Sequence, residues 1–316
     1  MGLPGEIRAR RRLLQDLARS VGSVGKSARQ TGAGRGIPGR RHSNGGRIET
    51  FYRTGAYLVG HLARFELGGK VVIVTGAGRG IGRTIALDAV RSGAKVAVGS
   101  RTTDELESLA AEIKQMGGEC FYHHLDVVSV ASIQEFFAAV IAHYGRIDGL
   151  VNNAGYNKQA PILEYGEELY DQIVDANLKN VFFCSQVAAK QFITQGGGGC
   201  IVNIASQAGL IGAPGRGPYS GAKGGVINLT RTMAVEWAKH KIRVNSVAPT
   251  VTRSSMAEQA MRDNKAFAES VRTMNLLRGD LAEPEEMSGP VVFLLSEAAS
   301  MITGHTLVVD GGWTVA

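Results

Sequence analysis

Residues 65–316 predict an α/β fold in a single domain, a parallel sheet doubly wound with helices on both faces. Three observations carry this. Strand-type and helix-type runs alternate from residue 70 to residue 310. The first strand-type run, Lys70-Val71-Val72-Ile73-Val74-Thr75, is apolar and β-branched rather than alternating, as a strand buried on both faces requires. A glycine-rich turn, Gly76-Ala77-Gly78-Arg79-Gly80-Ile81-Gly82, joins the first strand directly to the first helix. Such alternation with crossover helices gives a parallel sheet, and ligands then bind outside the carboxyl ends of its strands.

The elements follow in order. Lys70-Val71-Val72-Ile73-Val74-Thr75 is a short β-branched run and opens the sheet. Ile85, Ala86, Ala89 and Val90 then recur at helical spacing, and Ser92-Gly93 stops the helix. Strands are expected at 70–75, 94–100, 119–125, 147–152, 199–205, 242–248 and 305–310. Helices are expected at 80–92, 103–117, 129–144, 168–195, 217–240 and 284–296. The glycines of 196–199 read as a helix-ending turn. Segment 251–281 has no assigned element and reads as a lid over the strand ends. No internal repeat or interdomain linker is visible.

Composition narrows the function classes. A hydrophobic content of 44% is ample for a large core, yet no apolar run approaches the roughly 20 residues of a membrane span. Cys120, Cys184 and Cys200 lack metal-ligand spacing and form no disulfide framework, which points to a reducing, cytoplasmic setting and no metal site. Net charge is +7, but residues 1–65 hold 13 Lys and Arg against 3 Asp and Glu. The remainder carries 22 basic against 25 acidic residues, which argues against a nucleic-acid-binding body.

The basic head, 1–64, is read apart from the domain at 65–316. Residues 25–50 are rich in Gly, Arg and Ser and are expected to be disordered. Ile7, Leu14, Leu17, Val21 and Val24 fall on one helical face, opposite Arg8, Arg11, Arg12 and Arg19. A start codon assigned too early, a plain disordered extension, and a targeting or membrane-binding helix stay open as readings.

Chemistry is concentrated in Tyr219 and Lys223, four residues apart and so on one helical face. A nearby cation favours phenolate, and a phenol otherwise titrates near 10, too high for efficient proton transfer at neutral pH. Thirteen residues upstream, Ser206 ends the run Ile201-Val202-Asn203-Ile204-Ala205. In the glycine loop the backbone can turn tightly and approach a pyrophosphate at a helix N-terminus.

Thr75-Gly76-x-x-x-Gly80-x-Gly82 resembles the nucleotide loop of the short-chain dehydrogenase/reductase family. Asn152-Asn153-Ala154-Gly155, Asn177, Ser206, Tyr219 with Lys223, and Asp310-Gly311-Gly312 follow in the family's order. The resemblance spans about residues 66–316. It implies a Rossmann-type sheet of about seven strands, a homotetramer with the two long helices at a dimer interface, and a small-molecule carbonyl or alcohol substrate.

By the same resemblance Tyr219 is the general acid or base, and Lys223 lowers its pKa and binds the nicotinamide ribose. Ser206 bonds the substrate oxygen, and Asn177 holds a water leading to Lys223. Cofactor contacts fall on Gly76, Arg79, Gly80, Ile81, Gly82, Ser100, Arg101, Asp126, Val127, Asn153, Ala154, Gly155, Tyr219, Lys223, Pro249, Val251 and Thr252. One departure is Thr250, where the family has glycine after proline; a positive φ there would strain it.

The second strand ends at Ser100-Arg101 with no carboxylate, while Arg79 projects from the glycine loop. Arginine suits a 2′-phosphate, so NADP(H) is preferred, with NAD(H) as the other possibility. Substrate contacts are expected from 156–165 (Tyr156, Asn157, Lys158, Gln159), from 207–218 (Gln207, Leu210, Ile211, Arg216), and from 251–281 (Arg253, Met256, Met261, Met274). Either a sugar acid or a 3-oxoacyl thioester fits that mixture. A non-catalytic dinucleotide-binding sensor or scaffold is the alternative on the same fold.

Overall fold

The structure is a computed structural model that describes residues 63–316. Of the basic head, the expected amphipathic face at 7–24 and the Gly/Arg/Ser stretch at 25–50 lie outside the described residues.

Seven parallel strands form one sheet in the order β3-β2-β1-β4-β5-β6-β7. In chain order these are β1 (Val71–Thr75), β2 (Lys95–Ser100), β3 (Cys120–His124), β4 (Gly149–Asn152), β5 (Gly199–Ile204), β6 (Ile242–Pro249) and β7 (Thr306–Val309). The principal helices are α1 (Gly80–Arg91), α2 (Thr103–Gln115), α3 (Val130–Tyr144), α4 (Glu167–Val174), α5 (Asn180–Gln195), α6 (Gly217–Trp237), α7 (Ser255–Asp263), α8 (Lys265–Met274) and α9 (Pro284–Leu295).

Period-two side-chain alternation explains the two covered faces. Val72 and Val74 of β1 pack with Ile85, Leu106, Val291 and Leu294, from α1, α2 and α9. Val71 and Ile73 pack with Phe136, Ala188, Phe192 and Met233, from α3, α5 and α6. β1 is therefore buried on both faces, and its apolar run has no polar side. It pairs with β2 through Val72↔Val96 and with β4 through Ile73↔Leu150. The strand order reverses at β1, so a crevice opens between the carboxyl ends of β1 and β4.

Two elements differ from expectation. The single helix at 168–195 is instead α4 and α5 joined by a π-helical turn, Asp175–Lys179. Side-chain amides take up carbonyls in and just before that turn: Asn177 Nδ2 donates to Ile173 O at 2.8 Å, and Asn180 Nδ2 to Ala176 O at 2.9 Å. Segment 251–281, which had no assigned element, holds α7 and α8. Ser254 Oγ accepts from Ala257 N at 3.2 Å and Asn264 Oδ1 from Phe267 N at 3.0 Å, each capping a helix start. Ala257, Val271 and Leu281 form their small core, with Met261 and Phe267 against it.

Candidate active site

Two motifs meet because a threonine stitches them. Thr75 Oγ1, at the end of β1, accepts from the amides of Asn153 at 3.0 Å and Ala154 at 3.1 Å. In return Asn153 Nδ2 donates to the carbonyls of Thr75 and Gly76, both at 3.0 Å. Gly76 has φ 65°, and a Cβ on it would lie 2.8 Å from Ala154 Cα. A Cβ on Gly82 would collide with Asn153 Nδ2 and the Gly76 carbonyl. Glycine is thus required for the close approach of loop and turn.

At the other end of the crevice stand four side chains. Ser206 follows β5, and its Oγ accepts from Ala208 N at 3.2 Å. Tyr219 and Lys223 lie one turn apart in α6. Lys223 is buried, donates from Nζ to Ile204 O at 2.7 Å, and sits 5.6 Å from the Tyr219 ring centroid. Asn177 is fully buried, and its Nδ2 donates to Tyr156 O at 2.5 Å. A Cβ on Gly155 would lie 2.6 Å from Asn177 Oδ1 and 3.7 Å from Lys223 Nζ, so Gly155 lets these two groups share one space.

Burial raises the Tyr219 phenol above its ordinary value; a hydrogen bond with Ser206 and the charge of Arg216 pull it down, but less strongly. The Lys223 ammonium, near the phenol ring, hydrogen-bonds to the Ile204 carbonyl. Lys223 is itself pushed down to about 8 by desolvation.

Thr250 is buried, and its amide donates to Val309 O at 3.1 Å. Among the described residues Lys241 alone has a positive φ without being glycine, so Thr250 is unstrained. The expected conflict with Pro-Gly does not arise.

All of these groups face one cleft of about 870 Å³ along the strand ends. Every residue named for catalysis or cofactor contact in the sequence lines it.

Residues 76–314 match the family model described as Enoyl-(Acyl carrier protein) reductase. The chain belongs to the short-chain dehydrogenase/reductase family. It is 38% identical over 252 residues to the 2-dehydro-3-deoxy-D-gluconate 5-dehydrogenase of Escherichia coli (strain K12), covering 80% of this chain and 98% of that protein. It is 37% identical over 253 residues to the 3-oxoacyl-[acyl-carrier-protein] reductase of Thermotoga maritima, covering 79% of this chain and 100% of the relative. A crystal structure of gluconate 5-dehydrogenase from Burkholderia cenocepacia J2315, in complex with NADP and tartrate, superimposes with a TM-score of 0.77 at 32% identity. That alignment covers 81% of this chain and 99% of the other. The protein is an NAD(P)-dependent oxidoreductase acting on CH–OH groups.

The residues of this short-chain dehydrogenase/reductase fit a dinucleotide. The first turn of α1 has no side-chain cap and no acidic residue, which leaves its amides for an anion. Asn177 Oδ1 and Thr250 Oγ1 are buried without a partner in the same cleft. At the far end Ser100 Oγ donates to Thr102 O at 3.1 Å, and Arg101 is exposed. Asp126 turns the chain after β3 by accepting from Val128 N at 3.2 Å.

Three groups of residues differ from the sequence reading. Glu105, in the first turn of α2, packs against Gly78 and lies 3.8 Å from Arg79, so a carboxylate does reach the arginine end. Glu168, Asp171, Gln172 and Asp175, from α4 and the π turn, also line the cleft. Of the expected substrate contacts, Tyr156, Asn157, Gln207, Arg216 and Arg253 line it, whereas Lys158, Gln159, Leu210, Ile211, Met256, Met261 and Met274 do not. No periodicity signals which helix-start carboxylates turn inward. Among the described residues no helix is long and apolar enough to cross a membrane, and no cluster is arranged to hold a metal.

Proposed function

We propose that this dehydrogenase moves a hydride between NADP(H) and a secondary alcohol or ketone, with Tyr219 as general acid and base. The observation that carries the reading is the meeting of Asn177, Ser206, Tyr219 and Lys223 in the cleft that begins at the glycine loop. When bound, the nicotinamide supplies or accepts the hydride.

Each side chain has a distinct task. Tyr219 gives its phenol proton to the carbonyl oxygen in reduction and takes the alcohol proton in oxidation. Ser206 donates to the substrate oxygen and stabilises charge developing there. Lys223 holds the nicotinamide ribose, and Asn177 joins it to a proton path. Gly76, Gly80, Ile81, Gly82, Asn153, Ala154 and Gly155 shape the pyrophosphate and ribose walls, while Pro249, Val251 and Thr252 close over the carboxamide. Asp126 and Val127 flank the adenine. Ser100, Arg79 and Arg101 favour a 2′-phosphate, hence NADP(H) over NAD(H).

The working form in this reading is a cytoplasmic homotetramer of the 65–316 domain. Phe182 on α5 and Val235 on α6, 41% and 81% exposed, support an interface on those two helices. The direct test is absorbance of NADPH against a panel of ketones, keto acids and 3-oxoacyl thioesters, with the full chain and its Tyr219→Phe variant. Turnover in the parent that is lost in the variant supports the reading; equal turnover removes it.

A further inference from the structure

Two arginines of the cleft, Arg101 and Arg216, have no carboxylate partner among the described residues. The others are engaged: Arg79 with Glu105 at 3.8 Å, and Arg253 with Glu283 at 2.9 Å and Asp280 at 3.1 Å. Arg101 belongs to the adenosine end. Arg216 immediately precedes α6 and stands beside the reaction centre, close enough for its charge to act on Tyr219. It is half-buried. With the Gln159 amide turned so that its oxygen faces the guanidinium, that oxygen accepts from Nε at 3.2 Å and from Nη2 at 3.1 Å. A guanidinium carries five N–H donors, so most of the fork stays open.

The cleft also holds acceptors without donors. Gln207 follows Ser206, is 6% exposed, and its Oε1 is buried with no hydrogen-bond partner. Asn157 Oδ1 is in the same condition. Both residues line the cleft. Buried amide oxygens of this kind are satisfied by hydroxyl donors, and an open guanidinium by a carboxylate.

We infer that the substrate is a polyhydroxylated monocarboxylic acid, its carboxylate held by Arg216 and its hydroxyls by Gln207 and Asn157. This rests on the hydride-transfer reading of the same cleft. The acidic lining sets the limit at one carboxylate. Glu168 and Asp171 have no ion-pair partner among the described residues, and Asp175 is paired with Lys179 at 2.8 Å. These charges oppose a second anionic group on the substrate. They also oppose an acidic carrier protein bringing a 3-oxoacyl thioester.

The test pairs each four- to six-carbon aldonate with the alditol of the same length. The full chain is given NADP+, NADPH formation is followed, and the same pairs are titrated calorimetrically onto the protein with NADP+ present. At least one aldonate is expected to exceed its alditol by about tenfold in kcat/KM, and to bind more tightly in the titration. Arg216→Gln should raise the aldonate KM by about tenfold more than the alditol KM, with Arg216→Lys intermediate, because the fork and not only the charge is lost. NADP+ affinity serves as the folding control. Equal kcat/KM for aldonates and alditols, or an aldonate KM indifferent to Arg216→Gln, overturns the inference. Turnover confined to 3-oxoacyl thioesters overturns it while leaving hydride transfer standing. Failure of every aldonate, alditol, ketone and thioester despite tight NADP+ binding overturns both.

Discussion

The Lys223 ammonium lies 5.6 Å from the Tyr219 ring centroid, yet its hydrogen bond goes to the Ile204 carbonyl at 2.7 Å. The pair shares a helix face as i and i+4, but the lysine is anchored to the end of β5. Burial therefore dominates at the phenol, and Tyr219 sits above its ordinary value.

A raised phenol pKa fixes the sign of a pH profile. Below the pKa the phenolate fraction grows with pH, so alcohol oxidation, which needs the base form, should rise. We expect kcat/KM for oxidation to increase by about tenfold or more between about pH 7 and 9, with no parallel rise for reduction. Arg216 is one of the two groups lowering that pKa, so Arg216→Gln should move the rise to higher pH. A flat oxidation profile contradicts this assignment.

Lys223 predicts a stability window. Its folded pKa is down to about 8 from an ordinary 10.5, so between these values the unfolded chain binds more protons than the folded one. Stability contributed at this site therefore rises as pH increases through that window. Compared with Lys223→Met, wild type should gain roughly 1–3 kcal/mol in denaturant unfolding across it. A difference constant with pH would show that the ammonium is not desolvated.

Cofactor choice is opposed by one carboxylate. Glu105 lies 3.8 Å from Arg79, and a bound 2′-phosphate would have to share that arginine with it. Arg101→Asp should weaken NADPH binding by about tenfold relative to NADH, and Glu105→Gln should shift the ratio toward NADPH by a few-fold. Fluorescence titration of both nucleotides checks this. Equal effects on the two would detach these residues from the phosphate.

Gly82→Ala places a methyl group against the Asn153 amide and the Gly76 carbonyl. Asn153 must move, and its two 3.0 Å bonds to Thr75 and Gly76 are lost or lengthened. We expect a cost of about 1–3 kcal/mol in stability and weaker nucleotide binding. Thermal unfolding with and without NADPH separates the two effects.

The sheet was legible because strand and helix runs alternate, its first strand is a β-branched run buried on both faces, and its first turn is punctuated by glycines with a steric task. The order of motifs brought Asn177, Ser206, Tyr219 and Lys223 into view before any coordinates. What stayed hidden depends on helix rotation and burial. The π turn at Asp175–Lys179 leaves the helical period of the sequence almost unchanged, so it reads as one helix. α7 and α8 are short helices, nine and ten residues, and bury only Ala257, Ala268 and Val271. Glu105 and Asp171 look like ordinary helix-face acids until the strand ends are seen beside them.

The central claim is that Tyr219 carries the proton, and single-turnover rates together with NADPH affinity for wild type and Tyr219→Phe test it most directly. The expected result is a loss of about a hundredfold or more in the hydride-transfer rate, with NADPH affinity changed by less than about threefold. A variant that keeps its rate, or that loses rate only because NADPH no longer binds, contradicts the assignment.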